Sequence, residues 1–95
     1  MVEYIMIAEL KRLSNINIID VRSIEKYNDN HILNAINAPF DKMLIYPEKY
    51  MNKYEKYYLY CQKGYKTKQL CRILNQKGYH TVHIIGGYEA WILNE

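Results

Sequence analysis

Three apolar runs stand out along the chain: Asn17-Ile18-Ile19-Asp20-Val21, Tyr57-Tyr58-Leu59-Tyr60 and Thr81-Val82-His83-Ile84-Ile85. None alternates strictly between apolar and polar positions. A strand with one wet face alternates, whereas a strand covered on both faces reads as a nearly continuous run. Tyr4 to Ile7 reads as a short edge strand, and Ala35-Ile36-Asn37 as another that Pro39 closes. Helical patterns fall between these strands. Ala8 to Leu13 is one, broken by Ser14-Asn15. Ser23 is an N-cap for a second through about Tyr27, before the turn cluster Asn28-Asp29-Asn30. Thr67 to Lys77 places Leu70, Ile73 and Leu74 at i, i+3 and i+4 and stops at Gly78. Tyr88 to Asn94 is a closing helix. Phe40 to Lys56, charged, Tyr-rich and interrupted by Pro47, predicts one or two short helices. Strands alternating with helices predict an α/β fold with a parallel sheet of about five short strands and helices on both faces.

At 95 residues the chain predicts one domain, 1–95, with a single core and no need of disulfides. No repeat or linker interrupts it. The net charge of +3 slightly favours small anions. Without a Lys/Arg block it gives no case for nucleic acid. Met1 to Ile7 has an early acid and no basic region before its apolar residues, unlike a signal peptide, and no segment approaches membrane-spanning length. Two cysteines fit a reducing compartment, so a cytoplasmic protein with free thiols is expected.

The candidate chemistry is concentrated in Cys61-Gln62-Lys63-Gly64-Tyr65-Lys66-Thr67. A strand leads into this stretch and a helix leads out. The first turn of a helix has unpaired N–H donors and partial positive charge, which stabilise a thiolate at the mouth of the loop. In a parallel sheet, ligands sit outside the carboxyl ends of the strands. Cys61, Arg22 and Gly86 each follow a predicted strand at that end, so three strand ends converge on one rim.

Four segments in order resemble a single-domain rhodanese, a sulfurtransferase: Ile19-Asp20-Val21-Arg22; His31-Ile32-Leu33-Asn34-Ala35-Ile36-Asn37-Ala38-Pro39; Tyr60 to Thr67; and Gly78-Tyr79 through Val82 to Gly86-Gly87-Tyr88-Glu89-Ala90-Trp91. The resemblance implies a rhodanese-like central parallel sheet and a catalytic Cys61. That residue would take a sulfane sulfur from thiosulfate or a persulfide donor and pass it to a thiol or cyanide. The partners implied are a small anionic sulfur donor and a thiol acceptor, a protein thiol among the candidates, with neither nucleic acid nor membrane. Backbone N–H groups of Gln62 to Thr67 would converge on the persulfide, Gly64 would let the backbone turn inward, and Lys63 and Lys66 would attract the donor. No metal or organic cofactor is needed. Sulfur-handling members resemble one another in having six residues from Cys through the terminal basic position, as Cys61 to Lys66 does; related phosphatases and arsenate reductases have one more. Asn30 and Asn34 stand where the family commonly has Gly, and Asn tolerates left-handed backbone. Lys66-Thr67 stands where many members have Arg-Ser, keeping the charge without the bidentate fork. The alternatives are a non-catalytic rhodanese-like binding module and a small phosphatase or arsenate reductase.

The remaining candidates have plainer readings. Cys71, between Leu70 and Leu74, is a core residue rather than a resolving thiol. Asp20 is expected to hydrogen-bond backbone at a neighbouring turn, and Arg22 to order the active loop or meet an acidic partner. His31 is expected to be structural. His80 and His83 have no acid or Cys at ligand spacing, which argues against zinc. Trp91 is expected to anchor the last helix in the core, and Gly86-Gly87 to form a tight turn shaping the rim.

Overall fold

The computed structural model describes residues 2–94. Strands β1 (Glu3–Ile5), β2 (Asn17–Asp20), β3 (Ile36–Asn37), β4 (Lys56–Tyr60) and β5 (His80–Ile84) form one sheet in the order β1-β5-β4-β2-β3. Every pairing is parallel, with Ile19 opposite Leu59 and Leu59 opposite His83. The helices are α1 (Ile7–Leu10), α2 (Ile24–Asp29), α3 (Phe40–Ile45), α4 (Tyr65–Gln76) and α5 (Gly87–Leu93), with a 3-10 turn at Pro47–Lys49. Ser23 caps α2 by accepting the Lys26 N–H at 3.3 Å. Among the described residues no helix is long and apolar enough to cross a membrane.

Strand side chains alternate between faces, and helices cover both faces here. That is why β4 has no polar side. Tyr57 and Leu59 pack with Ile19, with Met43 of α3, and with Leu70, Cys71 and Leu74 of α4. Tyr58 and Tyr60 point the other way, among Ile7 and Leu10 of α1, Ile18, Val82, Ile84 and Tyr88 of α5. The innermost strand thus has its two apolar sets in two separate half-cores. Burying each large side chain fully stabilises the fold by about 1.5–3 kcal/mol.

Several boundaries differ from the sequence reading. The buried face of α4 is Thr67, Leu70, Cys71 and Leu74, and Ile73 lies at its edge, 37% exposed. α4 also starts at Tyr65 rather than Thr67; Tyr65 and Lys66 are exposed, so the apolar pattern does not mark them. β1 ends at Ile5, since Ile7 is buried as the first residue of α1. Trp91 is only half-buried at the margin of the second half-core, with the Lys11 ammonium 4.8 Å from its ring.

Candidate active site

Cys61 leaves β4 at the carboxyl end of the sheet and is immediately held by α5. Its carbonyl accepts the Tyr88 N–H at 2.9 Å, and the Gln62 carbonyl accepts that of Glu89 at 3.1 Å. These donors are first-turn N–H groups that the helix itself cannot satisfy. The approach is so close that a Cβ on Gly87 would run into the Cys61 carbonyl oxygen. The Gly86-Gly87 turn, expected to shape the rim, therefore fastens the start of the loop as well.

Gly64 turns the chain back. Its φ of +99° lies in the left-handed region, and a Cβ there would stand 3.0 Å from the Gly86 nitrogen. In this conformation the Gly64 N–H donates to Cys61 Sγ at 3.1 Å. Thr67 Oγ1, in the first turn of α4, is also 3.1 Å from Sγ and donates to the Gly64 carbonyl at 3.3 Å. A backbone amide and a hydroxyl thus meet on one sulfur beside the N-terminus of a twelve-residue helix. Cys61 is 6% exposed and opens into a cleft of ≈ 650 Å³, together with Arg22, Gln62, Lys63, Phe40 and Lys66. The Lys66 ammonium lies 5.9 Å from the Phe40 ring centroid.

Arg22 is 7% exposed and nearly saturated. Nε donates to both Asp20 carboxylate oxygens at 3.1 and 3.0 Å, and Nη2 to Oδ2 at 2.7 Å and to the Asn30 carbonyl at 2.6 Å. Nη1 reaches Gln62 Oε1 at 3.2 Å, linking the end of β2 to the loop. The Tyr88 ring lies 4.1 Å from the guanidinium carbon. Burial works against the charge, but the Asp20 carboxylate more than offsets it and raises the guanidinium pKa further. Asp20 also accepts the Arg22 backbone N–H at 2.8 Å, the turn contact expected of it. A member that sequence reasoning missed is Tyr60, whose hydroxyl donates to Asp20 Oδ2 at 2.7 Å and accepts the Ile32 N–H at 3.1 Å. Burial, then the Asp20 contact, push this phenol far above its usual pKa, so it stays protonated.

The other candidates fall outside the cleft. Gly86 sits on the opposite flank of the loop, behind Gly64. His31 stacks on Tyr27 at 3.8 Å, with Nδ1 2.8 Å from the Tyr27 carbonyl, a structural arrangement. Asn34 takes the left-handed conformation at φ +71°, but Asn30 is extended at −168° and needs no glycine-like freedom. Cys71 is fully buried and its thiol is pushed up to about 11 by desolvation. His83, weighed in the sequence only as a zinc ligand and set aside, packs beneath Gly64. Its period-2 place in β5 gave no hint of that neighbour. Among the described residues no three His, Cys, Asp or Glu side chains group as metal ligands.

The family model for the rhodanese-like domain matches residues 6–94. The thiosulfate sulfurtransferase GlpE of Coxiella burnetii is 33% identical over 84 residues, spanning 87% of this chain and 78% of that protein. Among solved structures, a rhodanese-like domain protein from Staphylococcus aureus superposes with a TM-score of 0.85 at 30% identity, covering 94% of this chain and 90% of that one. The rhodanese-like domain of Anabaena sp Alr3790 gives 0.87 at 25% identity, over 99% and 76%. With its five-stranded parallel sheet and Cys61 loop, the chain belongs to the rhodanese-like domain family.

Proposed function

We propose that this chain is a single-domain sulfurtransferase that carries a sulfane sulfur as a persulfide on Cys61. The observation that carries the reading is that Cys61 lines an open cleft with its Sγ 3.1 Å from the Gly64 amide. Deprotonated Sγ attacks the outer sulfur of thiosulfate, and the S–S bond breaks with its electron pair leaving on sulfite. An acceptor thiolate or cyanide then attacks the outer sulfur of the persulfide, and the S–S pair returns to Sγ. The two displacements predict ping-pong kinetics. The Gly64 N–H and the free N–H groups in the first turn of α4 supply fixed dipoles for the sulfur anion. Lys63 and Lys66 draw the anionic donor in, while Arg22 and Asp20 hold Gln62 in place. The matches to proteins named as sulfurtransferases support the same class.

Mass spectrometry of protein treated with thiosulfate is the test. The wild type should gain one sulfur atom, lost again on adding cyanide, and Cys61→Ser should gain none. A Cys61 left unmodified by both thiosulfate and a low-molecular-weight persulfide sinks the reading.

A further inference from the structure

We infer that the face around Cys61 docks an acidic segment of a protein that presents the acceptor thiol. The inference rests on the proposed sulfur transfer and names its partner. The acids near Cys61 gather on the α2 side, where Glu25 and Asp29 line a depression that shares Arg22, Lys26 and Gln62 with the Cys61 cleft, and the opposite side is cationic. Lys26, Lys63 and Lys66 line the Cys61 cleft, where Asp41 is the sole carboxylate. A second depression of ≈ 530 Å³ lies on the other flank of the loop. Lys63, Lys68, Arg72 and His83 line it, and it has no acid in its wall. Among the described residues the ion pairs involve Arg22, Lys56 and His80, and none engages Lys63, Lys66, Lys68 or Arg72.

The geometry decides the size of the occupant. Lys63 and Tyr65 line both depressions and so form the ridge between them. A donor as small as thiosulfate occupies only part of the Cys61 cleft and leaves Lys68 and Arg72 untouched. An extended segment crossing the ridge meets cations on both sides. Tyr65, 79% exposed at the crest, supplies an aromatic anchor of the kind that dominates protein interfaces. The second depression also reaches the edge of His83. The chemistry favours protein over nucleic acid, because the acceptor is a thiol, which a cysteine side chain supplies and ordinary nucleotides do not. A lone exposed tyrosine is also a poor stacking platform for successive bases.

The probes are twelve-residue peptides with one central cysteine, flanked in one by Glu and Asp and in the other by Ser and Gly. Cys61 is first loaded from thiosulfate, and loading is verified by mass. The peptide thiolate then takes the outer sulfur and leaves as a persulfide, with the S–S electron pair returning to Cys61. At low salt the acidic peptide should be persulfidated about tenfold faster than the neutral one, a difference lost at high ionic strength. The double variant Lys68→Glu, Arg72→Glu should load normally and transfer to 2-mercaptoethanol normally, yet lose the preference. Normal loading with equal rates for the two peptides overturns the docking inference and leaves the transferase reading intact. Failure to load overturns the transferase reading instead. A single-stranded RNA oligomer that binds more tightly than the acidic peptide overturns the inference in favour of a nucleic-acid partner.

Discussion

Thr67 has one hydroxyl proton and two acceptors for it, the Gly64 carbonyl at 3.3 Å and Cys61 Sγ at 3.1 Å. When Cys61 is a thiol, its S–H can donate to Oγ1 and the hydroxyl proton goes to the carbonyl. When Cys61 is a thiolate, the hydroxyl must turn to sulfur, because a thiolate only accepts. Thr67 thus follows the charge on Cys61 without moving its backbone. A hydrogen bond to a charged group contributes about 1.5–3 kcal/mol. Thr67→Val, nearly equal in volume, should therefore slow persulfide formation by about tenfold or more, whereas Thr67→Ser should stay near wild type. Single-turnover loading from thiosulfate measures both. Equal rates for the Val and Ser variants would show that the Gly64 amide alone carries the stabilisation.

At the scale of elements, the loop is a junction of three pieces: β4 delivers Cys61, α5 fastens its carbonyl, and the Asp20–Arg22 pair at the end of β2 holds Gln62. Tyr60 ties that pair to the central strand and to the segment after α2 through Ile32. Tyr60→Phe keeps the packing but leaves the buried Ile32 N–H without an acceptor. It should cost about 1–3 kcal/mol in chemical denaturation. Asp20→Ala strands the buried guanidinium of Arg22 and should cost more, about 3–5 kcal/mol. The reverse ranking would place the weight on the phenol rather than on the ion pair. The apolar runs that became β2, β4 and β5 were legible because burial on both faces leaves its mark at each residue. Cys61 and the basic loop positions were legible from local order. The tyrosine hydroxyl was not, because Tyr60 fits an apolar run and its partners are 28 and 40 residues away. The first turn of α4 was hidden for the opposite reason, since exposed Tyr65 and Lys66 carry no apolar signal. Gly87 was read as a turn residue, and its close approach to Cys61 depends on a contact that only the folded sheet creates.

At the scale of the whole molecule, His83 couples the basic flank to stability. Burial, then the nearby Lys68 charge, depress its pKa below 6.5. Lys63 and Arg72 line the same depression and add to the cationic surroundings, and no carboxylate there offsets them. The fold accordingly holds the neutral imidazole, while the unfolded chain binds a proton once the pH drops to about 6.5. Above that value the group costs nothing. As pH falls through 6.5 towards the depressed folded value, the unfolded state binds more protons and stability declines, by at most about 1.4 kcal/mol per pH unit from this one site. Denaturation midpoints between about pH 7 and 5 should therefore fall more steeply in the wild type than in His83→Gln, which has no proton to gain. Lys68→Glu should also flatten the slope, by replacing a repelling charge with one that favours the imidazolium. Parallel slopes in all three proteins would mean that the ring relaxes out from beneath Gly64 when it is protonated. A slope that survives His83→Gln but vanishes with Lys68→Glu would instead assign the acid sensitivity to the surface charges of α4.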